Sequence, residues 1–251
     1  MAKVISVHSF RGGTGKSNLT ANLAIALGMA GKRVAVIDTD IQSPGVHVLF
    51  GLDENSMKQS LNDFLWGNCS ISEAACEVTP DPVAQASGVV YLIPSSIKAG
   101  EIARILNEGY SVVVLNEGFQ KVCKDLNLDY LLVDTHPGLN RETLLSIAIS
   151  DELIIILRPD QQDFQGTAVT LQVAQKLDIS NISLVVNKVL PAYNFDAVQT
   201  QVEKRFKVPV AGIFPVSNEM FQLGSRGIFF LEFPNHAYSK QVQAVASQLL
   251  A

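Results

Sequence analysis

Cysteine is scarce in this chain: three residues, Cys69, Cys76 and Cys123, none in a C-x-x-C pair. An odd number without that spacing disfavours a disulfide scaffold, a four-thiolate zinc site and a self-contained iron–sulfur cluster. Buried free thiols in a reducing compartment are the expectation. Basic charge is also short, with 19 Lys and Arg against 24 Asp and Glu and a net charge of −5. That excludes a basic surface over the whole protein and leaves room for a local patch. Long apolar runs are missing. Val4–Val7 is soon interrupted by His8, Arg11 and Lys16, unlike a secretory leader. Leu153–Leu157 is a strand length, far below the ~20 residues that span a bilayer. A soluble cytoplasmic protein is expected. No internal repeat, low-complexity tract or Pro/Gly-rich linker divides residues 1–251, so one domain is expected.

What is present is a chain with 47% apolar and only 17% charged residues, enough for a large core. The strand candidates are Val4–Val7, Arg33–Ile37, Val89–Ile93, Tyr130–Val133, Leu153–Leu157, Ser183–Val186 and Val210–Phe214. Several are apolar at consecutive positions, as strands covered on both faces of a parallel sheet should be. Between them lie helical patterns over Ser17–Ala30, Asn55–Leu65, Glu101–Asn107, Arg141–Ile149, Gln165–Leu177 and Asp196–Phe206. Val112–Leu128 starts like a strand and ends like a helix, and its length favours helix. The alternation predicts an α/β fold, a doubly wound and mostly parallel sheet flanked by helices.

Directly after the first strand stands Phe10-Arg11-Gly12-Gly13-Thr14-Gly15-Lys16-Ser17. The spacing G-x-x-x-x-G-K-[ST] would want glycine where Phe10 stands, yet strand, glycines, Lys-Ser and helix follow in the right order. Glycines let backbone N–H groups turn toward phosphate oxygens, and the helix N-terminus adds its positive dipole end. Lys16 would neutralise the outer phosphates and the Ser17 hydroxyl would face Mg²⁺. Asp38 and Asp40 follow the second strand candidate, where parallel sheets keep their ligands, although turn-forming Asp residues also sit there. Leu131-Leu132-Val133-Asp134 is an apolar strand ending in a carboxylate suited to a Mg²⁺-bound water. His136, beside Pro137, reads as a packing residue. A guanine site would show N-K-x-D; Asn187-Lys188-Val189 is followed by Leu190, which lacks the acceptor guanine needs.

Gly-Gly-Thr-Gly-Lys-Ser preceded by a basic residue resembles the deviant Walker A ATPases, the ParA/MinD group. The resemblance runs from Val4 to about Leu231 and admits the McdA-type carboxysome-positioning ATPases as a subfamily. It implies that Arg11, standing where the group has its signature lysine, reaches the phosphates of a partner chain across an ATP-sandwich homodimer. It implies a nucleotide loop of Arg11, Gly12, Gly13, Thr14, Gly15, Lys16, Ser17 and Asn18. Lys16, Arg11, Asp40 and Asp38 are the implied catalytic residues, with Asp40 orienting the attacking water; Ser17, Asp134 and Asp38 are the implied metal residues. Asn187 would contact adenine, with Pro215 and Val216 closing the other face, so ATP with Mg²⁺ is expected. Asp151 matches an acid that can pair with the signature basic residue, and an Arg11–Asp151 contact is expected.

Within the group, a cluster-binding relative would need a cysteine after Asp134, and none follows; a tyrosine-kinase relative would need a C-terminal tyrosine cluster, and Tyr238 stands alone. The tail His236–Ala251 carries one Lys and an apolar stripe of Tyr238, Val242, Val245 and Leu249, so it reads as a core-docking helix rather than a membrane-surface one. Lys204, Arg205 and Lys207 form the densest basic cluster. They are candidates for non-specific DNA contact, or a solvated helix end whose cations suit the dipole. The function implied is a slow ATPase, stimulated by a small adaptor protein, that positions a plasmid, chromosome or microcompartment on the nucleoid. A MinD-like membrane-cycling regulator of the division or flagellar site and a metabolic ATP-dependent enzyme are the alternatives.

Overall fold

Strands that are apolar at consecutive positions must be covered on both faces, and in the computed structural model they form one eight-stranded sheet with helices on either side. The structure describes residues 2–179 and 181–251, the side chains of residues 141, 142, 145 and 146 excepted. In chain order the first half comprises β1 (Lys3–His8), α1 (Lys16–Met29), β2 (Arg33–Asp38), α2 (Val46–Leu49), α3 (Leu61–Leu65), β3 (Cys76–Glu77), α4 (Asp81–Gln85), β4 (Val89–Ile93), α5 (Ala99–Glu108) and α6 (Val112–Asp125). The second half comprises β5 (Tyr130–Asp134), α7 (Arg141–Ala148), β6 (Glu152–Leu157), α8 (Gln161–Lys176), β7 (Ile182–Val189), α9 (Phe195–Phe206), β8 (Val210–Pro215), α10 (Asn218–Leu223), α11 (Phe229–Glu232) and α12 (Ala237–Leu250).

The strand order is β3-β4-β2-β5-β1-β6-β7-β8, and only the β3–β4 pair is antiparallel. All other pairs are parallel, so the loops after β1, β2, β5, β7 and β8 emerge at one end of the sheet. Ligands of open α/β sheets bind in the crevice outside those carboxyl ends.

α1 is covered on all sides. Leu19 to Gly28 are buried without a break, against the sheet on one face and α12 on another. Helices apolar all round are core helices. The stripe Tyr238, Val242, Val245 and Leu249 of α12 lies in the same core cluster, and the Tyr130 hydroxyl donates to the Leu249 carbonyl at 3.0 Å. The tail thus packs as its pattern predicts.

The seven strand candidates and the Val112–Leu128 helix correspond to observed elements. The helix expected over Asn55–Leu65 does not form as one piece. Asp53 accepts backbone N–H groups from Asn55 and Ser56 and holds a turn, while Ser60 and Asp63 cap α3 reciprocally. Such local side-chain bonds compete with a continuous helix. α8 begins at Gln161, four residues before the expected start, because Asp160 caps it by accepting from the Asp163 N–H at 2.9 Å. The short elements β3, α2, α4, α10 and α11 were not expected. The three cysteines are free and partly rather than fully buried; burial raises each thiol, Cys123 to about 11.

Candidate functional site

The turn from β1 into α1 is built on glycine. Gly13 and Gly15 sit at φ +75° and +103°, and Gly15 opens α1 from the left-handed region. A Cβ at Gly15 would lie 2.5 Å from Asn187 Nδ2. That amide is buried and donates to the Thr14 carbonyl at 2.7 Å, while its oxygen accepts from the Lys188 N–H at 2.9 Å. Asn187 therefore fastens the loop to the end of β7. It lines, with Gly15, Asn18, Pro215, Val216 and Phe221, a cavity of about 340 Å³ beside the loop. Ligand cavities commonly start at about 300 Å³. Phe10, the departure from the glycine consensus, packs on α8 at Gly166, where a Cβ would meet its ring at 2.1 Å.

Around Lys16 the groups are buried or half-buried and hydrogen-bonded to one another. Ser17 Oγ donates to Asp134 Oδ2 at 2.6 Å, and Thr20 Oγ1 lies 3.4 Å from Asp134 Oδ1. Asp38 and Asp134 are register partners at the ends of β2 and β5, and both are buried. Burial pushes the Asp134 carboxyl up to about 6, with Asp40 adding and Lys16 and Ser17 opposing. Asp38 is raised well above the usual carboxylate range by burial, then by Asp134 and Asp40. Asp38 accepts from the N–H groups of Asp40, Gly45 and Val46 at 3.1, 3.1 and 3.3 Å, so its carboxylate also holds the loop that follows β2.

Among the described residues no three His, Cys, Asp or Glu side chains converge to hold a metal unaided. Mg²⁺ does not require that, because it keeps several waters and takes one or two carboxylates plus phosphate oxygens. Two buried acids, both raised, with a serine hydroxyl against one of them, fit that donor chemistry.

Three residues passed over in the sequence join the site. His8, at the end of β1, is fully buried, and burial, with the charges of Lys16 and His136 adding, pushes its imidazole down to about 3. Thr135 Oγ1 donates to the Val7 carbonyl at 2.9 Å, so it accepts from His8 Nδ1 at 2.8 Å, which fixes the tautomer. His136, read as a packing residue, meets Asp40: its Nδ1 lies 2.6 Å from Asp40 Oδ1. Lys188 has φ +60° and donates from Nζ to the Gly13 carbonyl at 2.8 Å, so a third cation besides Arg11 and Lys16 stands at the loop.

The expected Arg11–Asp151 contact is absent. Arg11 Nη1 instead bonds Gln162 Oε1 and lies 3.6 Å from Asp163 and 3.9 Å from Asp160, at the start of α8. Asp151 precedes β6, at the amino end of the parallel strands, and accepts from the Val4 N–H at 2.8 Å. The two residues belong to opposite ends of the sheet. Lys204 and Arg205 lie in the last turn of α9 and Lys207 follows it, a segment leading into the amino end of β8 and away from the phosphate loop. Arg205 stacks over the Phe164 ring at 5.3 Å.

The sequence matches the AAA domain family over residues 2–186. The chain is a ParA/MinD-type P-loop ATPase of that family. An uncharacterised ATP-binding protein of Methanocaldococcus jannaschii is 28% identical over 251 residues, covering all of this chain and 88% of that protein. MinD of Pyrococcus horikoshii, complexed with Mg-ADP, superposes with TM-score 0.83 at 21% identity, over 99% of this ATPase and 96% of that chain. Apo McdA of Cyanothece superposes with TM-score 0.76 at 16% identity, over the full length of both. These two structures speak for the fold. No helix among the ATPase's described residues is long and apolar enough to cross a membrane.

Proposed function

We propose that this ATPase binds Mg²⁺-ATP as a sandwich homodimer, hydrolyses it slowly, and uses the cycle to position a cellular cargo on the nucleoid. The observation that carries the nucleotide reading is the buried pair Asp38 and Asp134 at the strand ends, facing the Lys16–Ser17 turn. Ser17, Asp134 and Asp38 would hold Mg²⁺, which when bound neutralises phosphate oxygens. The loop residues Arg11 to Asn18 would cradle the phosphates, with Lys16 on the outer ones, and adenine would enter the cavity between Asn187 and Pro215–Val216. Asp40 would orient the water that attacks the γ-phosphorus as the bond to the bridging oxygen breaks and phosphate leaves.

Arg11 is the proposed trans contact. Two buried triphosphates repel, and cations from both chains must meet that charge. Asp163 and Asp160 would keep Arg11 in place until the partner's phosphates outcompete them. Lys188, on the Gly13 carbonyl, stands ready to add to the positive charge of the interface.

The cargo reading rests on the resemblance to ParA-type proteins, and includes a plasmid, a chromosome or a microcompartment such as the carboxysome. A small adaptor would stimulate turnover, and Lys204, Arg205 and Lys207 would hold DNA without sequence preference. A MinD-like role at the membrane is the second reading, favoured by the likeness to MinD structures. Against it, the apolar residues of α12 are spent on the core.

Titration calorimetry tests the nucleotide reading. Mg²⁺-ATP should bind, GTP should bind far more weakly, and Lys16→Ala should abolish detectable ATP binding, since removing a phosphate-paired cation costs ~2–5 kcal/mol. GTP binding as tight as ATP would overturn the base assignment. Undiminished ATP binding by Lys16→Ala would overturn the loop assignment.

A further inference from the structure

From the last residue of β5 onward, the chain is fastened at successive positions. Asp134 receives Ser17, and Thr135 donates to the Val7 carbonyl and receives His8. The Gly138 N–H donates to the Ser9 carbonyl at 3.0 Å. The His136 carbonyl, between them, receives Thr143 Oγ1 at 3.4 Å. The backbone that carries His136 is therefore tied on both sides to β1 and the glycine loop, the parts that would meet nucleotide.

Asp40 lies on the less regular loop after β2, where its own N–H bonds Asp38 and its Oδ1 accepts from the Ser43 N–H at 3.2 Å. A carboxylate's last torsion is broad, so the backbone alone leaves its two oxygens poorly aimed. The 2.6 Å contact from His136 Nδ1 to Oδ1 supplies the missing constraint. With Oδ1 taken by His136 and Ser43, Asp40 Oδ2 accepts no hydrogen bond from any described residue and is the oxygen left to face a water. The side chains are 26% and 13% exposed, so the pair is shielded but reachable.

We propose that His136 is a positioning residue for hydrolysis: its ring N–H anchors one oxygen of Asp40 so that the other is aimed at the attacking water. The inference rests on the reading of Asp40 given above. It requires only a donor at the Nδ1 position, which a neutral Nδ1–H ring and a protonated ring both provide.

Asn and Leu have nearly the same shape, and only Asn can place an N–H where Nδ1 stands. The experiment is steady-state phosphate release by the full chain with Mg²⁺-ATP, for wild type, His136→Leu, His136→Asn, Asp40→Ala and the double variant His136→Leu/Asp40→Ala, each shown by thermal melting to be folded. His136→Leu should lower kcat on the order of 10- to 100-fold, the scale of a misplaced catalytic group, with KM within about threefold. His136→Asn should restore most of the lost kcat. In the Asp40→Ala background, His136→Leu should add nothing, because both changes remove one function. Wild-type kcat in His136→Leu with an inactive Asp40→Ala would overturn the inference and leave the Asp40 reading standing. Equal loss in the Asn and Leu variants, or a full further loss in the double variant, would also overturn it. Wild-type turnover in Asp40→Ala would remove the reading itself.

Discussion

Asp134 is stabilised by little in its surroundings other than Lys16, Ser17 and Thr20, and burial outweighs them. A carboxyl whose folded value is about 6 against ~3.9 in the unfolded chain weakens the nucleotide-free fold at neutral pH. The deficit is complete above about pH 6 and is relieved as pH falls toward ~4, because the folded form then takes up the proton first. Asp134→Asn should accordingly stabilise the nucleotide-free protein at neutral pH, by on the order of 1–3 kcal/mol because the charge it removes also burdens Asp38, with the gain fading toward pH ~4. The same change should stop Mg²⁺-dependent turnover, since the site trades stability for function. Urea unfolding of both proteins across that pH range measures the gap. A variant no more stable than wild type at neutral pH would show that Asp134 is better solvated, or better paired, than its burial indicates.

α1 and α12 form a unit with the sheet. Leu249 is almost fully buried in the cluster that holds Leu23 and Leu27 of α1. Leu249→Ala should lower unfolding free energy by about 2–4 kcal/mol, while Gln243→Ala, on the exposed face, should change it by less than about 0.5 kcal/mol. An unchanged denaturation midpoint for Leu249→Ala would contradict the docking of α12.

The strands were legible because consecutive apolar residues such as Leu153–Leu157 fit little else. The glycine loop, Asp38 and Asp134 were legible because each stands directly after a strand or at its tip. The segment around Asp53–Ser60 was not, since its outcome depends on side chains bonding their own backbone rather than on apolar spacing. His136 and Asp40 are 96 residues apart, and Lys188 and Gly13 are 175 apart. No local pattern marks a partner at that distance; the sheet order brings them together. For Arg11 the resemblance points to Asp151, which the parallel sheet puts at the opposite end from the glycine loop.

One end of the sheet collects the glycine loop, the buried acids, Asp40 with His136, and the Asn187 cavity. Arg11, with 38% of its side chain exposed, and Lys188 lie at the same end, so positive charge is presented where a second chain's phosphates would come. In the proposed cycle, nucleotide state controls assembly. Sedimentation velocity on Asp40→Ala, which should retain ATP unhydrolysed, tests it in the presence of Mg²⁺-ATP and of Mg²⁺-ADP, with Arg11→Ala in the same background. The expected result is a dimer with ATP, a monomer with ADP, and an ATP dimer weakened ~30-fold or more by Arg11→Ala, the loss that follows when one partner of a buried charge pair is truncated. The same sedimentation coefficient with both nucleotides would contradict it.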